Sequence, residues 1–325
     1  MLRYTLQRFL LMIPTLIGVS ILVFALFAMM PGDFFSGDTK LTQVRLDQLR
    51  EAYGLNKPVL ERYFLWVSQL LHGDWGFSMQ YNQPVSKVIG TYIGNSFLVS
   101  FGAFIIAWAL AIAVSIYSAR HKYSLFDRII TFVVFAVMSL PSFFVGLVLI
   151  KTFSINLGIM PVGGLITIGS NYTGARYWFD VLHHAILPML VIVCVNFGPL
   201  TRYFRTSMLD TLSMDFIRTA RAKGLPESQV IYKHALKNAM LPAITLLGFR
   251  LPALFSGAII TEQVSSWPGI GRIQFESVTT RDYALLMSIT MLLAILTVVG
   301  NFIADVLYTM ADPRVRITRA KGSAK

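Results

Sequence analysis

The stretch FLLMIPTLIGVSILVFALFAMM, Phe9–Met30, holds 22 residues and no formal charge. As an α-helix rising roughly 1.5 Å per residue it spans about 33 Å, enough for a hydrocarbon core of about 30 Å. Lipid offers the backbone no hydrogen-bond partner, so such a segment crosses as a helix whose N–H and C=O groups pair with each other. Arg3 and Arg8 precede it in the manner of a signal peptide. The apolar run, however, exceeds the usual signal-peptide length of about 7–15 residues, and no A-x-A-like site stands before MMPGD. A retained first membrane helix is expected.

Working outward, five further stretches have the same character: Ser96–Ala119, Ile129–Ile150, Val181–Thr201, Ala239–Thr261 and Tyr283–Tyr308. Composition agrees. The 325 residues are 55% hydrophobic and 14% charged, whereas soluble domains carry about 25% charged residues. Mean hydropathy is +0.63. The expected fold class is an all-α polytopic membrane protein with six transmembrane helices.

The net charge of +12 is unevenly placed. The N-terminus, the 120–128 and 202–237 loops and the tail together hold 17 Lys/Arg against 5 acids, and the other side holds 9 against 10. The positive-inside rule then places both termini in the cytoplasm. A basic face toward anionic lipid accounts for the charge without nucleic acid as a partner.

Three regions follow. Residues 1–95 hold the first span and an extracytoplasmic cap, 96–310 a five-helix core with a cytoplasmic loop at about 202–238, and 311–325 a basic cytoplasmic tail. In the cap, LTQVRLDQLREAYG and NKPVLERYFLWVSQLL read as two short amphipathic helices, stopped by Gly54 and started by Pro58. Their expected role is to pack against the spans, which is compatible with an external docking surface. Tyr177 and Trp178 stand where an interfacial aromatic belt belongs. Asn171-Tyr172-Thr173 matches a glycosylation sequon, a pattern that by itself carries little.

The motifs that are missing narrow the function. One cysteine, Cys194, rules out an intrachain disulfide, and no Cys/His cluster has metal-ligand spacing. No P-loop, H-E-x-x-H or G-x-S-x-G occurs. The chain is expected to bind no cofactor and to catalyse nothing. An ion-driven secondary carrier needs ionisable relays deep in the membrane, yet Asp305 is the sole acid within a span and no inverted repeat is visible. Arg250 falls near the middle of the fifth span. Either it is satisfied by Asp305 or backbone carbonyls, or it lines a translocation pathway and attracts an anionic group.

Between the fourth and fifth apolar runs lies FIRTARAKGLPESQVIYKHALKNAMLP, Phe216–Pro242, with five positive side chains and one negative, Glu227. Asp215 to Lys223 suits a helix, Gly224 stops it, and Pro226 starts another. Ala220 and Ala222 flank the corner and permit close approach. Physics alone leaves two readings: a solvated basic loop, or an elbow that fits a groove on a soluble partner.

RTARAKG followed by a helix into the membrane resembles the EAA loop of ABC importer permeases, whose signature is Glu-Ala-Ala-x-x-x-Gly with a Leu-Pro further on. Here Arg218-Thr219-Ala220 hold the first three positions and Gly224 matches. Leu236 also matches, but Lys237 stands in place of the proline, and a Leu-Pro appears at 241–242. These departures are similar to the peptide-importer branch. So are the N-terminal 33 residues, HGDWGFSMQYNQPV at 72–85, SMLDTLSMDFIRTARAKG at 207–224, SWPGIGR at 266–272 and DVLYTMADPRVR at 305–316.

The resemblance covers nearly the whole chain in order and is to the first of the two permease subunits, since the second usually carries a longer polar N-terminal extension. It implies a type I ABC importer architecture. It further implies a homologous second permease, two cytoplasmic ATPase subunits that bind ATP and Mg, an extracytoplasmic solute-binding protein and a di- or oligopeptide substrate. The coupling loop then comprises Ala220, Ala222, Gly224, Leu225, Pro226, Glu227, Ser228 and Gln229. Nickel–chelate, glutathione and oligosaccharide importers share this permease type and remain alternatives for the cargo.

Overall fold

The computed structural model describes residues 2–30, 57–240 and 252–311, together with Glu51, Ala243 and Arg250. The first apolar run is helix α1, Leu2–Ala28. It lies antiparallel to the last long helix of the chain, Tyr283–Ala311, because Phe9 meets Phe302 and Phe27 meets Tyr283. Near one end of that pair Arg8 Nη1 lies 3.1 Å from Asp305 Oδ2.

After Pro58 comes α2, Val59–Leu71, the second expected cap helix. It leans on α1 through Tyr63 and Trp66 against Phe24, and the Tyr63 and Ser20 hydroxyls share a hydrogen bond of 2.9 Å. Its Leu60, Phe64 and Leu71 stay exposed, so the expected packing of its apolar face on the spans is limited to those aromatics. The first expected cap helix, 41–54, lies outside the described residues apart from Glu51. A two-residue antiparallel ladder follows, β1 (Phe77–Ser78) with β2 (Gln83–Pro84), pairing Phe77 with Pro84.

The core of the molecule is the pair α3, Val85–Arg120, and α6, Gly174–Leu212. At 36 and 39 residues they are roughly 54 and 58 Å long, so each outruns a bilayer and reaches beyond it. Ala103, Ala107 and Ala111 recur every fourth residue on α3 and are fully buried beside Val193, Leu200 and Phe204 of α6. Small side chains let two backbones approach closely where lipid gives no hydrophobic reason to associate. Ser115 continues the stripe and donates to the Thr201 carbonyl at 2.9 Å. The two helices run parallel, so the chain must return between them.

That return corrects one expectation. The third apolar run is two helices, α4 (Leu125–Met138) and α5 (Ser142–Leu149, continuing as a π-helical stretch Ile150–Asn156), bent by 103°. Pro141 lacks an N–H and drives the residue before it out of the helical region, so the helix ends there.

The fifth expected span, Ala239–Thr261, lies partly outside the described residues. Its described end is not one continuous helix. A 3-10 turn occupies Pro252–Leu254, Gly257 sits at φ +66°, and the next helix begins at Ile259. Among the described residues, four helices are long and apolar enough to cross a membrane, five if the bent pair is one span.

Candidate functional site

Around Gly224 the chain forms the expected helix, corner and second helical start. Helix α7, Asp215–Ala222, carries Asp215 in its first turn and Arg221 in its last, which matches the helix dipole. Gly224 then takes φ +75°. Its N–H donates to the Arg221 carbonyl at 2.9 Å, and the Leu225 N–H donates to the Ala220 carbonyl at 3.4 Å. These are the two bonds of a Schellman stop, and a side chain at that φ costs roughly 1–2 kcal/mol. Pro226 follows in extended conformation, and α8, Glu227–Gln229, passes through a π-helical stretch, Val230–Ala235, into α9, Leu236–Ala239. The expected short second helix is therefore the head of a longer helical run.

The inner side of this corner is anchored. Ile217, Val230, Ile231 and Ala235 are buried against Ile116 and Ala119 of α3 and Met208 of α6, and Leu225 packs on the same cluster. Ala220 faces inward, whereas Ala222, Gly224, Pro226, Ser228 and Gln229 are exposed. A Cβ at Gly224 would meet nothing within 4 Å.

Arg221 spans the corner and donates to Glu227 through Nη2 at 2.8 Å and Nε at 3.2 Å. The ion pair holds the Glu227 carboxyl below its ordinary range and raises Arg221. Both side chains are nearly half exposed, so the pair contributes at most about 1 kcal/mol. The corner is an exposed knob seated on the ends of the two central helices.

Arg250 lies apart from the corner. It lines a cavity of about 190 Å³ with Ser100, Phe104 and Trp108 of α3, Asn196 of α6 and Ser256. Its Nη1 donates to Asn196 Oδ1 at 2.8 Å. Asp305, the partner considered from sequence, is with Arg8 instead. The reason is packing: α12 (Tyr283–Ala311) presents that acid to α1.

Sequence reasoning missed two polar clusters. At the end opposite the corner, Glu262 of α10 (Ile259–Val264) is buried and accepts from Ser96 Oγ at 2.7 Å and from the Arg272 N–H at 3.1 Å. Ser96 Oγ in turn accepts from the Ile270 N–H at 2.7 Å. A carboxylate and a hydroxyl thus satisfy the unpaired N–H groups that begin α11, Ile270–Thr279. A Cβ on Gly269 would collide with both Glu262 and Ser96. That contact explains the glycine in SWPGIGR.

The other quoted motif docks beside it. Ser78 Oγ donates to buried Asp282 at 2.6 Å, and the Gln80 N–H donates to the same carboxylate at 3.1 Å. Tyr81 donates to Glu276 at 2.8 Å, and burial with that carboxylate raises the phenol's pKa.

The second cluster stands near the corner. Asp127, in the first turn of α4, accepts from Arg205 of α6 through Nε and Nη2, both at 2.7 Å. It also accepts from Ser118 of α3 and from the Tyr123 N–H. One carboxylate ties three helices together. A buried Asp in a helix's first turn, with an Arg on a later span, was the only sequence signal.

Long apolar helices, an exposed basic corner and a half-open, mostly apolar cavity beside the central pair mark a multi-pass membrane protein. The chain matches the family described as "Binding-protein-dependent transport system inner membrane component" over residues 111–317 and "Binding-prot-dependent transport system membrane comp, N-term" over residues 1–98. It is 40% identical over 318 residues to the oligopeptide transport system permease protein AppB of Bacillus subtilis (strain 168), covering 97% of this chain and 99% of that one. It is 34% identical over 336 residues to the dipeptide transport system permease protein DppB of Escherichia coli (strain K12), covering 97% and 99%. To the di/tripeptide transport system permease protein DppB of Pseudomonas aeruginosa (strain UCBPP-PA14) it is 33% identical over 338 residues, covering 98% and 100%. The chain belongs to the family of binding-protein-dependent transport system inner membrane components.

Proposed function

We propose that this chain is the permease subunit of an ATP-driven importer of di- and oligopeptides, and that it forms half of the translocation pathway. The observation that carries this reading is the near end-to-end likeness to three bacterial proteins named as peptide permeases. The chain has six spans with both termini cytoplasmic and resides in the cytoplasmic membrane of a prokaryote. It pairs with a homologous second permease and receives peptide from an extracytoplasmic solute-binding protein. Its Gly224 corner, with Ala220, Ala222, Leu225, Pro226, Glu227, Ser228 and Gln229, docks on one of two cytoplasmic ATPase subunits. Those subunits bind ATP and Mg, and this chain holds no cofactor and performs no catalysis.

Coupling follows from the packing. Closure of the ATPases displaces the corner, and the corner is seated on Ile116, Ala119 and Met208, the ends of the helices that line the cavity. The push therefore reaches α3 and α6 directly, and they switch the cavity between outward and inward access.

Two measurements test this. In proteoliposomes holding the four-subunit complex and loaded binding protein, uptake of labelled dialanine is expected to require ATP at the ATPase face and to survive a protonophore. Uptake driven by the proton gradient without ATP overturns the reading in favour of a secondary carrier. For orientation, Cys194→Ala supplies a background into which exposed Ser86 or Ser228 is replaced by Cys. In whole cells an impermeant maleimide is expected to label Ser86→Cys alone, and labelling of Ser228→Cys alone inverts the topology.

A further inference from the structure

We infer that Arg250 and Asn196 form a contact for the C-terminal carboxylate of a peptide in transit, an inference that rests on the reading of the chain as a peptide permease. Arg250 is half-buried, and its Nη1 bonds to a neutral amide oxygen. Among the described residues no carboxylate reaches it. Asp305 is engaged by Arg8 and Asp127 by Arg205, while Glu262 is held by Ser96 and the start of α11. A guanidinium at membrane depth without a counter-ion is expensive, and charges retained at that depth mark pathways.

The local geometry orients the cation without neutralising it. Asn196 Nδ2 donates to the Ile192 carbonyl at 2.8 Å, which turns Oδ1 toward Arg250. The amide therefore fixes one prong of the guanidinium, and among the described residues no other group takes its remaining N–H donors. A planar fork of donors fits a carboxylate through two parallel hydrogen bonds, which a point-charge ammonium does not reproduce. The cavity walls suit this task. Phe104 and Trp108 line the cavity, and an apolar wall lowers the local dielectric, which strengthens a charge-assisted bond. The hydroxyl-bearing Ser100 and Ser256 line the cavity as well.

A terminal carboxylate is the one anionic group that every unmodified peptide carries, whatever its side chains. A contact to it tolerates varied sequences and needs no side-chain pocket.

The test uses the complete complex in proteoliposomes, with binding-protein loading measured separately and held at saturation, and compares trialanine with trialanine amide. Arg250→Gln is expected to assemble at normal yield, to slow trialanine uptake about tenfold, the worth of one charge-assisted bond, and to leave trialanine amide unchanged. Arg250→Lys should retain charge and recover part of the rate for trialanine alone. Equal slowing of both peptides by Arg250→Gln overturns the proposal, as does loss of assembly in both Arg250→Gln and Arg250→Lys. If the wild-type complex moves neither peptide, the peptide-permease reading fails first, and with it this contact. Wild-type uptake with no effect of Arg250→Gln sinks the contact alone.

Discussion

Gly224→Asp is expected to insert and assemble normally while peptide uptake falls to background and substrate no longer stimulates ATP hydrolysis. Two effects act at this position. Gly224 sits at φ +75°, where an L-residue costs roughly 1–2 kcal/mol, too little to unfold a chain anchored by a buried cluster around Ile217, Val230 and Ile231. The larger effect is outside the chain. The space beyond Gly224 is open in the isolated subunit, so any side chain there meets only what docks on the corner, and a carboxylate is poorly accommodated at a close backbone approach. Gly224→Asn isolates the charge, because Asn and Asp are nearly isosteric and both tolerate the left-handed region. It is expected to keep the corner's geometry and to lose less coupling than Asp. The measurements are membrane yield, ATP hydrolysis with and without loaded binding protein, and uptake. Coupled transport at the wild-type rate in Gly224→Asp returns this segment to a solvated basic loop.

Asp127→Ala is expected to cost about 3–5 kcal/mol of stability, the range for removing one member of a buried ion pair. The aspartate is 3% exposed and receives two guanidinium donors from Arg205 as well as Ser118 and the Tyr123 N–H. Truncation strands the Arg205 guanidinium, which has only 24% side-chain exposure. The paired replacement Asp127→Leu with Arg205→Met removes both charges, and it should recover a large part of the loss. Thermal unfolding of the purified complex and its yield read the effect. A loss under about 1 kcal/mol for Asp127→Ala would place the pair among surface bridges and sink the argument. The same variant is expected to weaken coupling, since the cluster joins α3, α4 and α6 close to the seat of the corner.

Much of this protein was legible from local pattern. The apolar runs at 9–30 and 283–308 became α1 and α12 because membrane partition is an additive property of adjacent residues. The corner at Gly224 was readable because Gly, Pro and the dipole-matched ends of α7 act within a few residues of one another. Even the break at Pro141 has a local cause, though length and hydrophobicity alone made that run look like one straight span. The described part of the 239–261 run shows the same limit, with Pro252 and Gly257 interrupting what hydropathy reads as uniform.

What local pattern does not hold is which polar group meets which. Asp305 was one partner considered for Arg250, yet α12 turns Asp305 toward Arg8 on α1, and Arg250 faces Asn196 on α6. Ser78 finds Asp282 across 204 positions, and Ser96 finds Glu262 across 166. By itself, the sequence determined that the chain is a bundle of membrane helices with one basic end and a sharp corner between two of them. Only the tertiary structure decided where each charge is answered, because that depends on the rotation and crossing of helices far apart in the chain. A rotation of one helix by a single residue turns a side chain by about 100° and leaves every apolar run unchanged.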